Sequence, residues 1–189
     1  MDLFQELGER GHEQVSFFHD PDSRLKGLVA IHNTVLGPAL GGCRMWNYEN
    51  ETEALVDVLR LSKGMTYKVA IAGLNIGGGK AVIIGDSKTQ KTENLFRSFG
   101  RFVEGLGGRY ITAEDVGTNF RDMEQVRIET DYVTGISQAL GGSGDPSQVT
   151  AYGVFVGIKA SVKERLNRME LDVIKSICTR AWSCGNVPL

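Results

Sequence analysis

The sequence lacks the features that mark membrane, nucleic-acid-binding and secreted proteins. Its longest apolar runs, such as G-L-V-A-I and K-A-V-I-I-G, are far shorter than the roughly 20 residues that a membrane-spanning helix needs. No strongly basic run is present, and 21 Lys and Arg nearly balance 23 Asp and Glu, so neither a nucleic acid nor a membrane is expected as a partner. The N-terminus, M-D-L-F-Q-E-L-G-E-R, does not have the pattern of a signal or transit peptide.

Cysteine and histidine are too few and too scattered for a disulfide framework or a metal site. The cysteines, Cys43, Cys178 and Cys184, are odd in number and form no C-x-x-C pair. This pattern predicts reduced thiols in a cytoplasmic protein. The three histidines have no metal-ligand spacing, so no metal is expected.

Glycine, in contrast, is abundant. The chain has 24 glycines in 189 residues, above the usual share of about 7%. They cluster without a period at 37–42, 73–79, 105–108 and 141–144, so neither collagen nor a low-complexity segment is indicated. Glycines at the ends of elements allow tight turns or a close approach of backbone to a ligand. Such clusters are typical of a pocket built from loop ends.

Helical and strand-like segments alternate along the chain. Strands are predicted at 12–20, 25–34, 81–85, 109–116 and 131–136, and helices from Asn50, Thr92, Asn119 and Thr150. The segment G-P-A-L-G-G (37–42) is predicted to be irregular. Because the first two strands form a hairpin and the others alternate with helices, the predicted fold is α/β, with a mixed β-sheet flanked by helices.

The stretch from Lys63 to Asp86 contains G-G-G-K, which invites comparison with nucleotide-binding loops. A phosphate loop requires G-x-x-x-x-G-K followed by Ser or Thr, but alanine follows Lys80 and Leu74 occupies the first glycine position. A dinucleotide loop requires G-x-G-x-x-G, and the segments at 105–107 and 142–144 lack the last glycine. The chain therefore contains no complete loop of either kind.

Two lysines in this stretch, Lys68 and Lys80, lie on either side of a predicted glycine-rich turn. The apolar residues around them suggest that both are screened from water. A screened lysine close to a second cation has a lowered pKa and can act as a base, while the other lysine binds an anion. Asp115, at the end of a predicted strand, could relay a proton. The alternative is that both lysines are ordinary exposed residues at the ends of elements.

Four segments stand out by their order and spacing: G-P-A-L-G-G-C-R-M-W (37–46), K-G-M-T-Y-K-V-A-I-A-G-L-N-I-G-G-G-K-A-V-I-I-G-D (63–86), R-Y-I-T-A-E-D-V-G-T (109–118) and T-D-Y-V-T-G-I-S (130–137). Together they resemble the leucine dehydrogenase type of the glutamate/leucine/phenylalanine/valine dehydrogenase superfamily. The resemblance runs from about residue 10 to about residue 166.

The resemblance implies an NAD-dependent oxidative deamination of a branched-chain L-amino acid, leucine, to its 2-oxo acid and ammonia. By motif position, Lys80 is the catalytic base that activates water against the imine intermediate, and Asp115 assists proton transfer. Lys68 binds the substrate carboxylate, and Gly41 and Gly42 let the backbone approach the substrate. The other implied positions are pocket walls at Leu40, Met65, Ala113 and Thr134, and a nicotinamide contact at Thr150.

Substrate choice in this resemblance depends on few residues. Ala113 is typical of the leucine type, whereas phenylalanine-type relatives tend to have glycine there, and its methyl group narrows the pocket in favour of branched aliphatic side chains. Phenylalanine-, tryptophan- and valine-type enzymes stay open, as does a non-catalytic oligomerisation fragment. The resemblance also implies a homo-oligomer, with contacts expected at the hairpin 12–34.

The end of the sequence departs from the family pattern. In the family a Rossmann domain with a G-x-G-N-V loop follows the substrate domain, and here the sequence stops at C-G-N-V-P-L (184–189). We therefore expect 1–150 to be the substrate-binding and oligomerisation domain. Residues 151–189 would be a linking helix and the truncated start of the NAD-binding domain. The chain alone is expected to have little or no dehydrogenase activity, because hydride transfer needs the nicotinamide held against the substrate.

Overall fold

The computed structural model describes residues 3–167, and the chain divides into two compact units, Met1–Gly144 and Asp145–Leu189. In chain order the elements are α1 (Leu3–Arg10), β1 (Gln14–Asp20), β2 (Leu25–Asn33), β3 (Ala39–Trp46), α2 (Glu51–Ile71), β4 (Gly77–Ile84), α3 (Glu93–Gly105), β5 (Tyr110–Glu114), α4 (Phe120–Arg127) and α5 (Ser147–Leu166). The predicted domain boundary at residue 150 stays a prediction.

The first unit is built on one five-stranded sheet with the strand order β1-β2-β4-β3-β5. The hairpin β1–β2 is antiparallel, and β2 also pairs antiparallel with β4. The strands β4, β3 and β5 run parallel to one another. The mixed α/β sheet predicted from the alternation of elements is therefore confirmed.

Helices cover both faces of this sheet. Strand residues Leu28, Ala30 and Val82 pack with α2 in one buried cluster, while Ala81 and Ile83 belong to a second cluster with α3 and α4. Because side chains alternate between the faces of a strand, neighbouring residues of β4 join different clusters. Even-numbered positions of β4 thus face α2, and odd-numbered positions face α3.

Three helices begin at the capping residues that the sequence indicates. The side chains of Asn50, Thr92 and Asn119 accept hydrogen bonds from backbone N–H groups in the first turns of α2, α3 and α4. Asp122 completes a capping box with Asn119. Each such cap is worth about 1 kcal/mol, because it satisfies a donor that the helix itself leaves unpaired.

Predictions for two glycine-rich segments are corrected by the structure. The segment 37–42 is not irregular after Pro38, because β3 begins at Ala39. The predicted turn between Lys68 and Lys80 is present at Gly73, which has φ of +69°, but Gly77–Gly79 are the first part of β4. The glycines fit there because neighbours approach closely: a Cβ on Gly78 would lie 2.1 Å from Thr66 Oγ1, and one on Gly79 would lie 2.8 Å from the Tyr110 ring. Glycine thus permits close packing of a strand rather than a turn.

The segment 131–136 contributes less than the predicted strand. It forms a single parallel bridge between Val133 and Thr112, in which Thr134 N–H donates to the Thr112 carbonyl oxygen at 2.8 Å. A left-handed Gly135, with φ of +72°, follows this bridge. The chain turns away from β5 there, so the pairing does not extend into a full strand.

The described part of the second unit is the helix α5. It begins at Ser147, before the predicted start at Thr150, and none of its residues is buried. Apolar residues of this helix, such as Val154 and Phe155, are exposed. Cys178, Cys184 and the C-G-N-V segment lie outside the described residues. Among residues 3–167, no helix combines the length and the apolar character needed to cross a membrane.

Candidate active site

Lys80 lies inside β4, which is hydrogen-bonded between β2 and β3. The predicted strand at 81–85 placed Lys80 just before the strand instead. It shares the α2-facing side with Gly78 and Val82. Only 4% of Lys80 is exposed to solvent. A lysine this buried is uncommon unless it has a partner.

That partner is Asp115, the first residue after β5. Its Oδ2 lies 3.0 Å from Lys80 Nζ. A β-turn closed by Thr118 N–H and the Asp115 carbonyl oxygen, 2.9 Å apart, holds the residue in place. The Thr118 hydroxyl also accepts from Asp115 N–H at 2.9 Å and donates to the Cys43 carbonyl oxygen at 2.7 Å. Gly117, with φ of +83°, supplies the left-handed residue in this turn.

The same oxygen of Asp115 has a second cationic partner, Arg44 of β3. Arg44 Nε lies 3.0 Å from Asp115 Oδ2, and Arg44 Nη1 lies 2.9 Å from Asp57 Oδ2. The Tyr48 hydroxyl donates to Asp57 Oδ2 at 2.7 Å. One connected network of side chains thus joins β3, α2 and the end of β5 to Lys80.

Burial determines the titration of the Lys80 amine. Loss of hydration lowers the pKa of Lys80, and this effect outweighs the attraction of Asp115, which acts in the opposite direction. The positive charge of Arg44 lowers the pKa of Lys80 further. The site therefore favours the neutral amine more than water does, and a neutral amine is the form that can accept a proton.

Lys68 lies in the last turns of α2, and its environment differs from that of Lys80. It is exposed, so the prediction that both lysines are screened from water is wrong for Lys68. The helix turns this position outward, whereas Val69 beside it is buried. Within residues 3–167 the ammonium group forms no ion pair. Its predicted role in binding a carboxylate stays a prediction.

Leu40, Gly42 and Ala113, predicted to contact the substrate, meet at the β3–β5 ladder beside the Lys80–Asp115 pair. Leu40 is opposite Ile111, and Gly42 is opposite Ala113. A Cβ on Gly42 would lie 2.8 Å from Asp115 Cβ, so the glycine lets the carboxylate come close to the strand. These residues form one wall of a site on the α2 side of the sheet.

Gly41, Met65, Thr134 and Thr150, the other predicted site residues, have less direct relations to this wall. Gly41 faces the opposite side, where its carbonyl oxygen accepts from the Tyr110 hydroxyl at 2.5 Å. Met65 is half-buried on α2, and Thr134 is joined to β5 by the hydrogen bond that its N–H donates to the Thr112 carbonyl oxygen. Thr150 lies exposed on α5 in the second unit.

Sequence reasoning missed Arg44, Tyr48, Asp57 and Thr118. Arg44 had a local signal, because it lies two residues after Gly42 and therefore on the same face of β3. Thr118 ends a D-V-G-T segment, which is typical of a turn closed by a hydroxyl. Tyr48 and Asp57 had no such signal, since their role depends on how α2 packs on the sheet.

Comparison with known proteins gives a consistent relationship. The family model "Glu/Leu/Phe/Val dehydrogenase, dimerisation domain" matches residues 12–132. The chain is 61% identical to the leucine dehydrogenase of Bacillus subtilis over 172 residues, which are 91% of this chain and 47% of that protein. It is 55% identical to the phenylalanine dehydrogenase of Bacillus thermotolerans over 159 residues, 84% of this chain and 41% of that protein.

A solved structure supports the same relationship. The L-tryptophan dehydrogenase from Nostoc punctiforme matches with a TM-score of 0.71 and 47% identity, over 90% of this chain and 48% of that chain. The chain thus spans about half the length of the relatives that it matches. The family match covers more than half of the chain, and the relatives agree with it in sequence and in fold. The chain belongs to the Glu/Leu/Phe/Val dehydrogenase family.

Proposed function

We propose that this chain supplies the amino-acid-binding part of an NAD-dependent amino-acid dehydrogenase. The proposed reaction is the oxidative deamination of a branched-chain L-amino acid, leucine, to its 2-oxo acid and ammonia. The observation that carries this proposal is the Lys80–Asp115 pair, in which a buried amine with a lowered pKa lies 3.0 Å from a carboxylate. Such a pair suits a step in which a proton leaves water or the substrate.

In this reaction Lys80 and Asp115 carry out the proton transfers. Neutral Lys80 accepts a proton from the water as its oxygen adds to the imine carbon, and then returns this proton to the nitrogen of the resulting carbinolamine. The C–N bond breaks, the nitrogen leaves as ammonia, and the carbon keeps the oxygen as the 2-oxo group. Asp115 stabilises the protonated amine of Lys80. Because 15% of the Asp115 side chain is accessible to solvent, this carboxylate can also exchange a proton with water. The rigid position of Lys80 in a central strand keeps the base in place while the substrate changes.

Lys68 binds the substrate carboxylate in this proposal. The argument is electrostatic, since an exposed ammonium with no ion-pair partner in residues 3–167 is available to an anion. Leu40 and Ala113 supply apolar surface for the substrate side chain. Gly42 keeps the space in front of Asp115 open.

The cofactor that the family implies is NAD, and the described residues do not form a site for it. The glycine segments between residues 3 and 167 lack the spacing of a dinucleotide-binding loop. Thr150, the predicted nicotinamide contact, is exposed in the second unit. The chemistry of the described residues is therefore confined to the amino acid, and little or no dehydrogenase activity is expected of this chain alone.

Leucine is preferred over other amino acids on the strength of Ala113, and other types are the alternative. Relatives of the chain include a phenylalanine dehydrogenase at 55% identity and a tryptophan dehydrogenase at 47%. A single methyl group discriminates by about 1–3 kcal/mol in an apolar pocket. Substrate choice is thus open to small changes in the wall at Ala113.

A homo-oligomer formed through the first unit completes the proposal. The matching family model describes a dimerisation domain. The strand β1 is an edge of the sheet and carries Phe17, which is 60% exposed. An unpaired edge with an exposed aromatic residue suits pairing with a second copy, which agrees with the contacts predicted for the hairpin.

The test is the reduction of NAD that depends on an amino acid. Two proteins are compared: the chain as given, and the chain extended by its downstream coding sequence or by the C-terminal half of the B. subtilis relative. NADH formation is followed at saturating L-leucine, L-valine, L-phenylalanine and L-tryptophan. Activity of the extended protein alone supports the proposal. Inactivity of every extended form supports the non-catalytic oligomerisation fragment, which size measurement of the chain would then characterise.

Two substitutions in the extended protein separate the roles of the lysines. Lys80→Ala should reduce kcat by about 10²–10⁴-fold, the usual contribution of a general base. Lys68→Ala should chiefly raise KM, by about 10–100-fold, because a charged hydrogen bond to the substrate is lost. Near-normal turnover in Lys80→Ala would refute its assignment as the base.

A further inference from the structure

Arg44 bridges two carboxylates that come from different parts of the chain. Its Nε lies 3.0 Å from Oδ2 of Asp115, and its Nη1 lies 2.9 Å from Oδ2 of Asp57. Its side chain is only 15% exposed, as are those of both carboxylates. The planar guanidinium group is suited to such a bridge, because its donors point in fixed directions.

Asp115 uses one oxygen for two cations. Both Lys80 Nζ and Arg44 Nε lie 3.0 Å from Oδ2. A carboxylate that faces Lys80 alone would direct its full charge at the ammonium and stabilise it. Arg44 offsets part of that charge at the atom that contacts Lys80.

We propose that Arg44 is a positioning residue for the deamination chemistry, which holds Oδ2 of Asp115 against Lys80 and offsets its charge so that Lys80 can release its proton. The inference rests on the proposed function, because it assigns a role relative to Lys80 as the base. Arg44 itself does not contact the substrate. Its effect passes through Asp115 and through the field at Lys80.

The charges around Lys80 support this division of roles. Arg44 acts on Lys80 from β3, and Asp115 acts on it from the end of β5. Cys43, next to Arg44, lies on the other face of the sheet, in the cluster with α3. Arg44 lowers the pKa of Lys80, whereas Asp115 raises it. Burial raises the pKa of the Cys43 thiol, so this group stays neutral. Removing Arg44 therefore removes a like charge beside Lys80, which leaves the attraction of Asp115 without an opposing charge and raises the pKa of Lys80.

Asp57 keeps Arg44 in its position. Burial acts to raise the pKa of Asp57, but hydrogen bonds from Tyr48, Arg60 and Arg44 outweigh it and lower the pKa. Burial likewise acts to lower the pKa of Arg44, and Asp115 and Asp57 outweigh that effect. Both groups thus stay ionised at neutral pH, and the bridge keeps its charges.

The simpler role for Arg44 is a purely structural one, joining α2 to β3. Such a role predicts a loss of stability in an Arg44 variant, with no change in how Lys80 titrates. The positioning role predicts a change in the titration of Lys80 in a protein that stays folded. The pH dependence of a single lysine separates the two.

The experiment uses this chain with lysine labelled by carbon-13 at Cε, and follows the Cε shift of Lys80 by NMR from pH 6 to 11. The signal is assigned by its loss in Lys80→Met. Arg44→Gln is expected to raise the pKa of Lys80 by about 1 unit or more, the size of effect that one charge at contact distance produces. Arg44→Lys, which keeps the charge but cannot bridge both carboxylates, should give a smaller rise.

Arg60→Gln is the matched control, because Arg60 also pairs with Asp57 and is 63% exposed, but has no contact with Asp115. It removes the same charge and should leave the Lys80 titration unchanged. An unchanged titration in Arg44→Gln, with a native near-ultraviolet dichroism spectrum, overturns the inference. If only Arg44→Lys folds, an unchanged titration in that variant overturns it equally.

Kinetics of the extended protein separates this inference from the proposed function. The acid limb of the kcat/KM profile should move to higher pH in Arg44→Gln, since a base with a higher pKa loses its neutral form earlier. If Lys80→Ala abolishes turnover but Arg44→Gln leaves the titration of Lys80 unchanged, the inference alone is wrong. If the titration responds but Lys80→Ala keeps its turnover, the proposed function is wrong.

Discussion

Gly42 and Asp115 are packed so closely that a side chain at position 42 would displace Asp115. A Cβ on Gly42 would lie 2.8 Å from Asp115 Cβ and 2.4 Å from the Glu114 carbonyl oxygen. The position of the carboxylate beside Lys80 therefore depends on the absence of a methyl group on a neighbouring strand. This relationship, between β3 and the end of β5, is testable without any cofactor.

We expect Gly42→Ala to destabilise the chain by about 1–3 kcal/mol, as overpacking of a tight site does. Unfolding in urea measures this change. Gly64→Ala is the control, because a Cβ built at Gly64 meets nothing within 4 Å beyond its chain neighbours and the backbone of its own helix, and alanine favours the helix. A destabilisation of the control as large as that of Gly42→Ala would contradict the steric explanation.

Ala113→Gly is expected to shift substrate preference in the extended protein. The substitution removes the methyl group opposite Gly42 on the β3–β5 ladder and widens the wall of the site. The ratio of kcat/KM for L-phenylalanine over L-leucine should rise by about 10–100-fold, which corresponds to about 1–3 kcal/mol. An unchanged ratio would mean that Ala113 does not contact the substrate side chain.

Lys80→Met should change the pH dependence of stability in the alkaline range. Because the pKa of Lys80 is lowered in the folded chain, the unfolded chain binds the proton more tightly. Lys80 therefore increases the free energy of unfolding of the wild type as the pH rises toward 10.5, and the variant lacks this increase. The stability of Lys80→Met relative to wild type should fall as the pH rises toward 10.5, the ordinary pKa of a lysine.

Urea unfolding at several pH values measures the difference in the free energy of unfolding between Lys80→Met and wild type. The tyrosines also titrate in this range, but they are the same in both proteins, so their contributions cancel in the difference. Lys26→Met, at an exposed position of β2, controls for the loss of one positive charge. A difference that is constant with pH would show that Lys80 titrates alike in the folded and unfolded chain.

His12 should make the chain sensitive to acid. Its Nε2–H donates to the Leu59 carbonyl oxygen at 3.0 Å, which leaves Nδ1 buried and without a hydrogen-bond partner. Burial, and then the neighbouring His32 at a ring distance of 4.8 Å, lower the pKa of His12 to about 4. Arg10 and Lys63 act in the same direction.

The sign follows from the lowered pKa. Between pH 6.5 and 4 the unfolded chain takes up a proton that folded His12 does not, so stability falls as the pH falls through this window. We expect His12→Gln to reduce that loss by about 1–2 kcal/mol, measured by urea unfolding at pH 7, 5.5 and 4.5. His19→Gln, at an exposed position of β1, is the control. Equal acid sensitivity of His12→Gln and wild type would contradict the prediction.

Local signals were sufficient to predict most of the elements. Asn50, Thr92 and Asn119 were predictable as helix starts, because a capping side chain acts on the backbone within three residues. The strand β3 was missed, since glycine and proline lower strand propensity, and its glycines serve contacts with strands and helices distant in sequence. What glycine does at such positions depends on neighbours that the local sequence does not contain.

The candidate site was predictable only in part for the same reason. The sequence pattern indicated Lys80 and Asp115, and the structure brings them together. It did not indicate that Lys68 is exposed, because the direction of a helix face depends on what the helix packs against. Arg44 and Asp115 are 71 residues apart in sequence, so their contact follows from strand order alone.

Because Gly77–Gly79 have an extended backbone, an insertion or deletion before Lys80 has a different effect from one in a loop. In a loop, one residue added before Lys80 would be absorbed by the turn. In a strand, the same insertion would move the amine to the opposite face of the sheet, among the α3 and α4 residues. Any homologue with an insertion or deletion at 77–79 should therefore lack the Lys80–Asp115 pair, however well its other motifs align.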